Sequence, residues 1–168
     1  MKTQPASDLR KAYKTTVIIG LALMASLLVY TIVVENIRKQ FDPFGGFAPM
    51  PVDAAEMLRY VFLGISVLNL ILIGVLNKLI LSVKAPVGKS PGYARFGAEA
   101  RTLMTAAMVT FALCESVALY GLVIFLIQGS SNDFYLFLLI SLVYFTIFFP
   151  KYSTWEEWVK EREHSRKP

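Results

Sequence analysis

Four stretches almost empty of charge, 15–34, 60–81, 102–127 and 134–149, decide what this chain can fold into. A helix needs about 20 apolar residues to cross a bilayer's hydrocarbon core, and three of the four blocks meet that length; the last is long enough if its ends are wet. The chain has 168 residues, 55% of them hydrophobic, with a mean hydropathy of +0.54. A soluble bundle of such helices would need polar faces that these blocks lack. The pattern predicts an all-α integral membrane protein with four transmembrane helices near 15–35, 59–82, 101–127 and 133–149. Residues 1–14 then form a cytoplasmic N-terminal segment, 15–149 the membrane domain, and 150–168 a charged, amphipathic cytoplasmic tail. The first block is read as a retained helix. It exceeds the roughly 7–15 apolar residues of a signal peptide, and it runs into Glu35-Asn36-Ile37-Arg38-Lys39 with no small-residue cleavage site.

Lysine and arginine set the expected orientation. Lys2, Arg10, Lys11 and Lys14 precede the first block, while Lys84, Lys89, Arg95 and Arg101 fill the second connection. Lys151, Lys160, Arg162, Arg166 and Lys167 lie in the tail. The connection after the first block mixes signs, and 128–133 has no basic residue. With four crossings all three basic segments share one side, so both termini are expected in the cytoplasm and the protein in the cytoplasmic (inner) membrane. The net charge of +5 is then a signal of topology and of contact with the lipid surface, and it calls for no nucleic-acid partner.

The connections carry readable chemistry. "FDPFGGFAPMPVDAAE" is rich in proline, glycine and phenylalanine and is expected to lie irregularly at the outer interface, with Asp53 and Glu56 spaced as a capping box that starts the second helix. "KAPVGKSPGYARFGAEAR" reads as a flexible basic loop. Pro150 should stop the fourth helix, and Ser153 and Glu156 can cap a tail helix whose Trp155 and Trp158 suit the headgroup layer. Cys114 is the only cysteine, so no intrachain disulfide or thiolate metal cluster forms. The single histidine, His164, lies in the charged tail. No phosphate loop, nucleophile elbow or His-Glu zinc spacing is present. Neither an enzymatic activity nor a cofactor is expected, apart from a bound proton or sodium ion.

Glu115 interrupts the third block near its centre, with no basic residue within ten positions on either side. A charged side chain at mid-helix costs about 3 kcal/mol on insertion scales, which makes such a residue a functional candidate. Burial in hydrocarbon favours its neutral, protonated form. The alternative is structural: a protonated acid that hydrogen-bonds between helices and holds the bundle. A shift of ninety positions lays 21–34 over 111–124 and matches Ala22, Leu23, Ser26, Tyr30 and Val33 with Ala112, Leu113, Ser116, Tyr120 and Val123. That match suggests a parallel internal repeat of the first and third helices, with Ala25 in the place of Glu115. The block centres each carry a polar group, Ser26, Asn69, Glu115 with Ser116, and Ser141, which predicts a shared polar layer. Asn69 is the expected contact of Glu115, and Tyr120 is placed to reach back to it.

The segment "RTLMTAAMVTFALCESVALYGLVIFLI" (101–127) resembles the carboxylate helix of the proteolipid c subunit of rotary ATP synthases and ATPases. Glu115 and the following Ala118-x-Tyr120-Gly-Leu-Val carry the resemblance. In that family the acid binds the transported proton or sodium ion. The resemblance therefore implies ion binding by Glu115, with Ser116 as a hydroxyl ligand and Tyr120 orienting the acid. It also implies assembly as a homo-oligomer or as a subunit of a larger membrane complex. The chain departs from the family in having only Gly64 and Gly74 in its second block, a longer loop, and its acid on the third of four helices. The second functional reading is a small structural or assembly subunit that uses the same helix only for packing.

Overall fold

The computed structural model describes residues 4–82 and 98–164, and every element among them is helical. The order is α1 (Gln4–Gln40), α2 (Val52–Ser82), α3 (Ala98–Gln128), α4 (Ser131–Phe148) and α5 (Tyr152–His164). The first four are long and apolar enough to cross a membrane, so the chain is a multi-pass membrane protein whose outer surface meets lipid. Residues 1–3, 83–97 and 165–168 lie outside the described residues, and with them most of the basic second connection. At 37 residues α1 takes in most of the segment 1–14 that was expected to stand apart. Its length of roughly 55 Å at 1.5 Å per residue exceeds any hydrocarbon core, so its ends project beyond the membrane.

The hub is α3, against which α1, α2 and α4 all pack. Of the four membrane-length helices it is the most buried within the bundle. Phe111, Cys114, Val117, Ala118, Ile124 and Phe125 are fully buried on it, against Phe134, Phe137 and Phe145 of α4. Lipid is as apolar as these side chains, so close packing has to hold the helices together. Gly121 allows it: a Cβ there would stand 2.7 Å from the Phe137 Cβ and 3.0 Å from the Phe134 carbonyl oxygen.

At the end away from the termini, the α1–α2 loop closes over α3. Gly129 (φ +74) turns the chain out of α3, donating its N–H to Phe125 O at 2.7 Å. The N–H groups of Phe47 and Ala48 then reach Leu126 O (2.8 Å) and Ile127 O (3.2 Å), carbonyls that the helix itself leaves unpaired. The loop is thus irregular in path but tied by its backbone to the bundle. Nearby, Ser130 caps α4 by accepting from the Asp133 N–H, and Arg59 of α2 pairs with Asp133 at 3.1 Å. Phe149 before Pro150 is extended (φ −63, ψ 126), as a residue preceding proline prefers to be, and α4 ends there.

Two expectations at helix starts are corrected. α2 begins at Val52, so Asp53 sits within its first turn, where it complements the helix dipole, and does not form the cap. α5 begins at Tyr152, ahead of Ser153. Trp155 is buried at 5% exposure against the protein. Its ring meets Tyr13 edge-on at 5.5 Å within a cluster that also holds Leu9, Ala12, Ala100 and Leu103. The tail helix is docked against the terminal ends of α1 and α3 through this cluster, in which a large aromatic buries much apolar area.

Candidate functional site

Three consecutive residues at mid-depth of α3 define the site, because a helix turns by about 100° per residue. Cys114, Glu115 and Ser116 therefore face three different neighbours. The Ser141 hydroxyl of α4 donates to Cys114 O at 2.7 Å. The Glu115 carboxyl meets α1, and the Ser116 hydroxyl meets α2, accepting from the Asn69 amide at 2.9 Å. One level of the bundle thus carries polar contacts from the hub to each surrounding helix.

The Glu115 contact is the most elaborate of these. Ser26 and Tyr30 are one helical turn apart on the same face of α1. Their hydroxyls both reach the Oε1 atom, at 2.6 Å and 2.7 Å. Ser26 Oγ also lies 2.6 Å from the Leu23 carbonyl oxygen of its own helix. A serine hydroxyl holds one proton, so it donates to only one of these two acceptors at a time. If Ser26 donates to Leu23 O, then the 2.6 Å contact requires a proton on Glu115. The chain then runs Tyr30 O–H to Oε1, Oε1–H to Ser26 Oγ, and Ser26 O–H to Leu23 O, with every donor used. If the acid is ionised, both hydroxyls donate to it. The same heavy-atom positions accommodate both protonation states. None of the three ion pairs recorded among the described residues involves Glu115.

The site residues expected from sequence are placed as follows. Ser26 bonds Glu115 directly. Asn69 is buried at the same level but meets Ser116 and not Glu115, since it approaches α3 from the α2 side. Ser116 donates to Leu113 O at 2.8 Å while accepting from Asn69, and so turns away from the acid. Tyr120 is turned the same way, its ring stacked on Phe62 of α2 at 5.2 Å. Ser141 serves the Cys114 carbonyl. The residue missed is Tyr30. The Ser26–Tyr30 spacing, present in the repeat alignment, was the available signal. The two Ser-Tyr pairs of that alignment face different neighbours: the α1 pair faces α3, and the α3 pair faces α2.

A second, interfacial group of charges lies at the loop end. Tyr135 donates to Glu35, which also pairs with Arg38 at 2.8 Å. Comparison of the chain with protein-family models, curated proteins and solved structures finds no match in any of the three.

Proposed function

We propose that this chain is a membrane subunit that binds a proton at Glu115, within the cytoplasmic membrane and with both termini in the cytoplasm. One observation carries the reading: the Ser26 hydroxyl is shared at 2.6 Å between Glu115 Oε1 and Leu23 O, an arrangement that works with the acid either protonated or ionised. A proton suits this geometry better than sodium. Both hydroxyls are engaged at hydrogen-bond distance on a single carboxylate oxygen, whereas a hard cation needs several oxygens converging on a common centre. The proteolipid-like sequence around Glu115 supports the same chemistry, with a homo-oligomer or a larger complex as its setting. The basic residues gathered on the terminal segments support the orientation.

The test is modification of the purified protein by a hydrophobic carbodiimide, which attacks a protonated carboxyl. Glu115 should be labelled at mildly acidic pH, protected at alkaline pH, indifferent to sodium, and unlabelled in Glu115→Gln. Protection by sodium would replace the proton with an ion. Absence of labelling at any pH would end the proposal.

A structural reading is favoured by one specific feature: both hydroxyl partners of Glu115 belong to α1 of its own chain, so the acid also ties α1 to α3. Under that reading alone, the pH dependence of thermal stability would be the same in Glu115→Gln as in the unmodified protein.

A further inference from the structure

The α1–α4 seam carries two cavities in line, and neither belongs to the Glu115 site. The packing of α1 against α4 is slight beside that of either helix on α3, so the seam stays open to lipid. On α1, Leu21, Met24, Leu28, Thr31, Glu35 and Arg38 follow one another at steps of three and four residues, which puts them on one stripe. Ser131, Tyr135, Leu138 and Leu142 form the facing stripe of α4 by the same spacing. Within hydrocarbon, these stripes enclose an apolar groove of about 400 Å³, lined by Leu21, Met24, Leu28 and Thr31 on one side and Leu138 and Leu142 on the other. From Thr31 to Leu21 the groove descends roughly 15 Å at 1.5 Å per residue, which is about half of the hydrocarbon thickness and so the depth of one leaflet.

Above it, where the apolar block of α1 ends, the lining changes character. A second cavity of about 320 Å³ is bounded by Glu35, Arg38, Lys39 and Asp42, with Gly129 and Ser131 on the opposite wall. Both signs of charge are present in it. Glu35 and Arg38 satisfy each other, and Tyr135 of α4 donates to Glu35. Lys39 and Asp42 take part in none of the ion pairs recorded among the described residues. Both side chains are exposed on the lining of this cavity, and the Lys39 charge also acts on Glu35.

From these two cavities we infer that the α1–α4 seam binds one phospholipid with a phosphate and a primary ammonium in its headgroup. Lys39 faces the phosphate and Asp42 faces the ammonium, whose three N–H donors suit a carboxylate. An acyl chain occupies the groove between Leu28 and Leu142. A choline headgroup fits less well, because it has no N–H to donate and is recognised by aromatic cages, of which Phe44 supplies at most one wall. The charges at headgroup depth, on the end of α1 and just past it, continue the α1 stripe that lines the apolar groove at leaflet depth. A solvated charged helix end would not need the second cavity.

The experiment uses the full chain, purified in mild detergent from vesicles that contain ethanolamine, choline and glycerol phospholipids with identical tails. Retained lipid is counted by native mass spectrometry. The expected result is one retained lipid per chain, with ethanolamine favoured over choline by about tenfold. The double variant Lys39→Gln/Asp42→Asn should bring that ratio close to one. Leu28→Trp, which fills the groove from an exposed position, should lower the retention of every headgroup alike. Protection of Cys114 from a maleimide dye checks that each variant is folded. Equal retention of ethanolamine and choline lipids, or an unchanged ratio in the double variant, overturns the inference. A preference for the glycerol headgroup overturns the ammonium assignment. Displacement of the lipid by inorganic phosphate alone shows a simple anion site and overturns it as well.

Discussion

Replacing Gly46 by alanine should unfasten the α1–α2 loop from α3, and its neighbour Gly45 supplies the control. Gly46 has φ +86, a conformation that costs an L-residue about 1–2 kcal/mol. The added Cβ would also stand 2.1 Å from Ile127 O, 2.5 Å from Ile127 C and 2.7 Å from Gln128 N. These are backbone atoms of a packed helix and cannot swing aside, so the loop must lift. Lifting it breaks the Phe47 and Ala48 N–H contacts to Leu126 and Ile127, at about 1 kcal/mol each. The sum is about 3–4 kcal/mol, which for a chain of this size corresponds to a fall in Tm of roughly 10 °C. At Gly45 nothing lies within 4 Å of where a Cβ would stand and φ is not positive, so Gly45→Ala should stay within about 0.5 kcal/mol. Cys114 supplies the assay, being the only cysteine and fully buried: a maleimide dye that fluoresces on reaction reports unfolding during a thermal ramp in detergent. A Tm for Gly46→Ala equal to that of the unmodified protein would refute the account, as would equal losses for both variants.

Three further changes probe other contacts with the same assay. Tyr30→Phe removes one hydroxyl from Glu115 and should cost about 0.6–1.7 kcal/mol, the range of interhelical hydrogen bonds in membranes; in a Glu115→Leu background the same change should cost nothing. Asp133→Ala breaks the pair with Arg59 and the link to Ser130, and should cost about 1–2 kcal/mol because Arg59 remains 44% exposed and can be rehydrated. A loss as large as that of a fully buried ion pair would show that Arg59 is enclosed. Trp155→Ala should cost about 3 kcal/mol and expose the tail to protease at Lys160, whereas a tail cut at the same rate in both proteins would mean that it is not docked.

The membrane class, the number of helices apolar enough to cross and the shared level of the polar residues were legible from the sequence alone. These depend on composition and on the fixed rise of a helix, and both can be counted along the chain. The same counting placed Ser26, Asn69, Glu115 and Ser141 near one level, because depth is a property of position. Which of these residues touch was not legible. Rotation about each helix axis and the order of helices around α3 together decide that, and neither is set by hydropathy when all faces are apolar. Hence Asn69 was expected at Glu115 but meets Ser116, and Tyr120 was expected to reach the acid where Tyr30 does so. Only once α1 and α2 are known to flank α3 on different sides does it follow that Glu115 looks to one and Ser116 to the other. Trp155 shows the same division: an aromatic beside charges reads as a lipid anchor, and its packing partners cannot be counted along the chain. The tertiary structure supplies that packing, because α1 begins at Gln4 and gives the tail helix a surface to rest on.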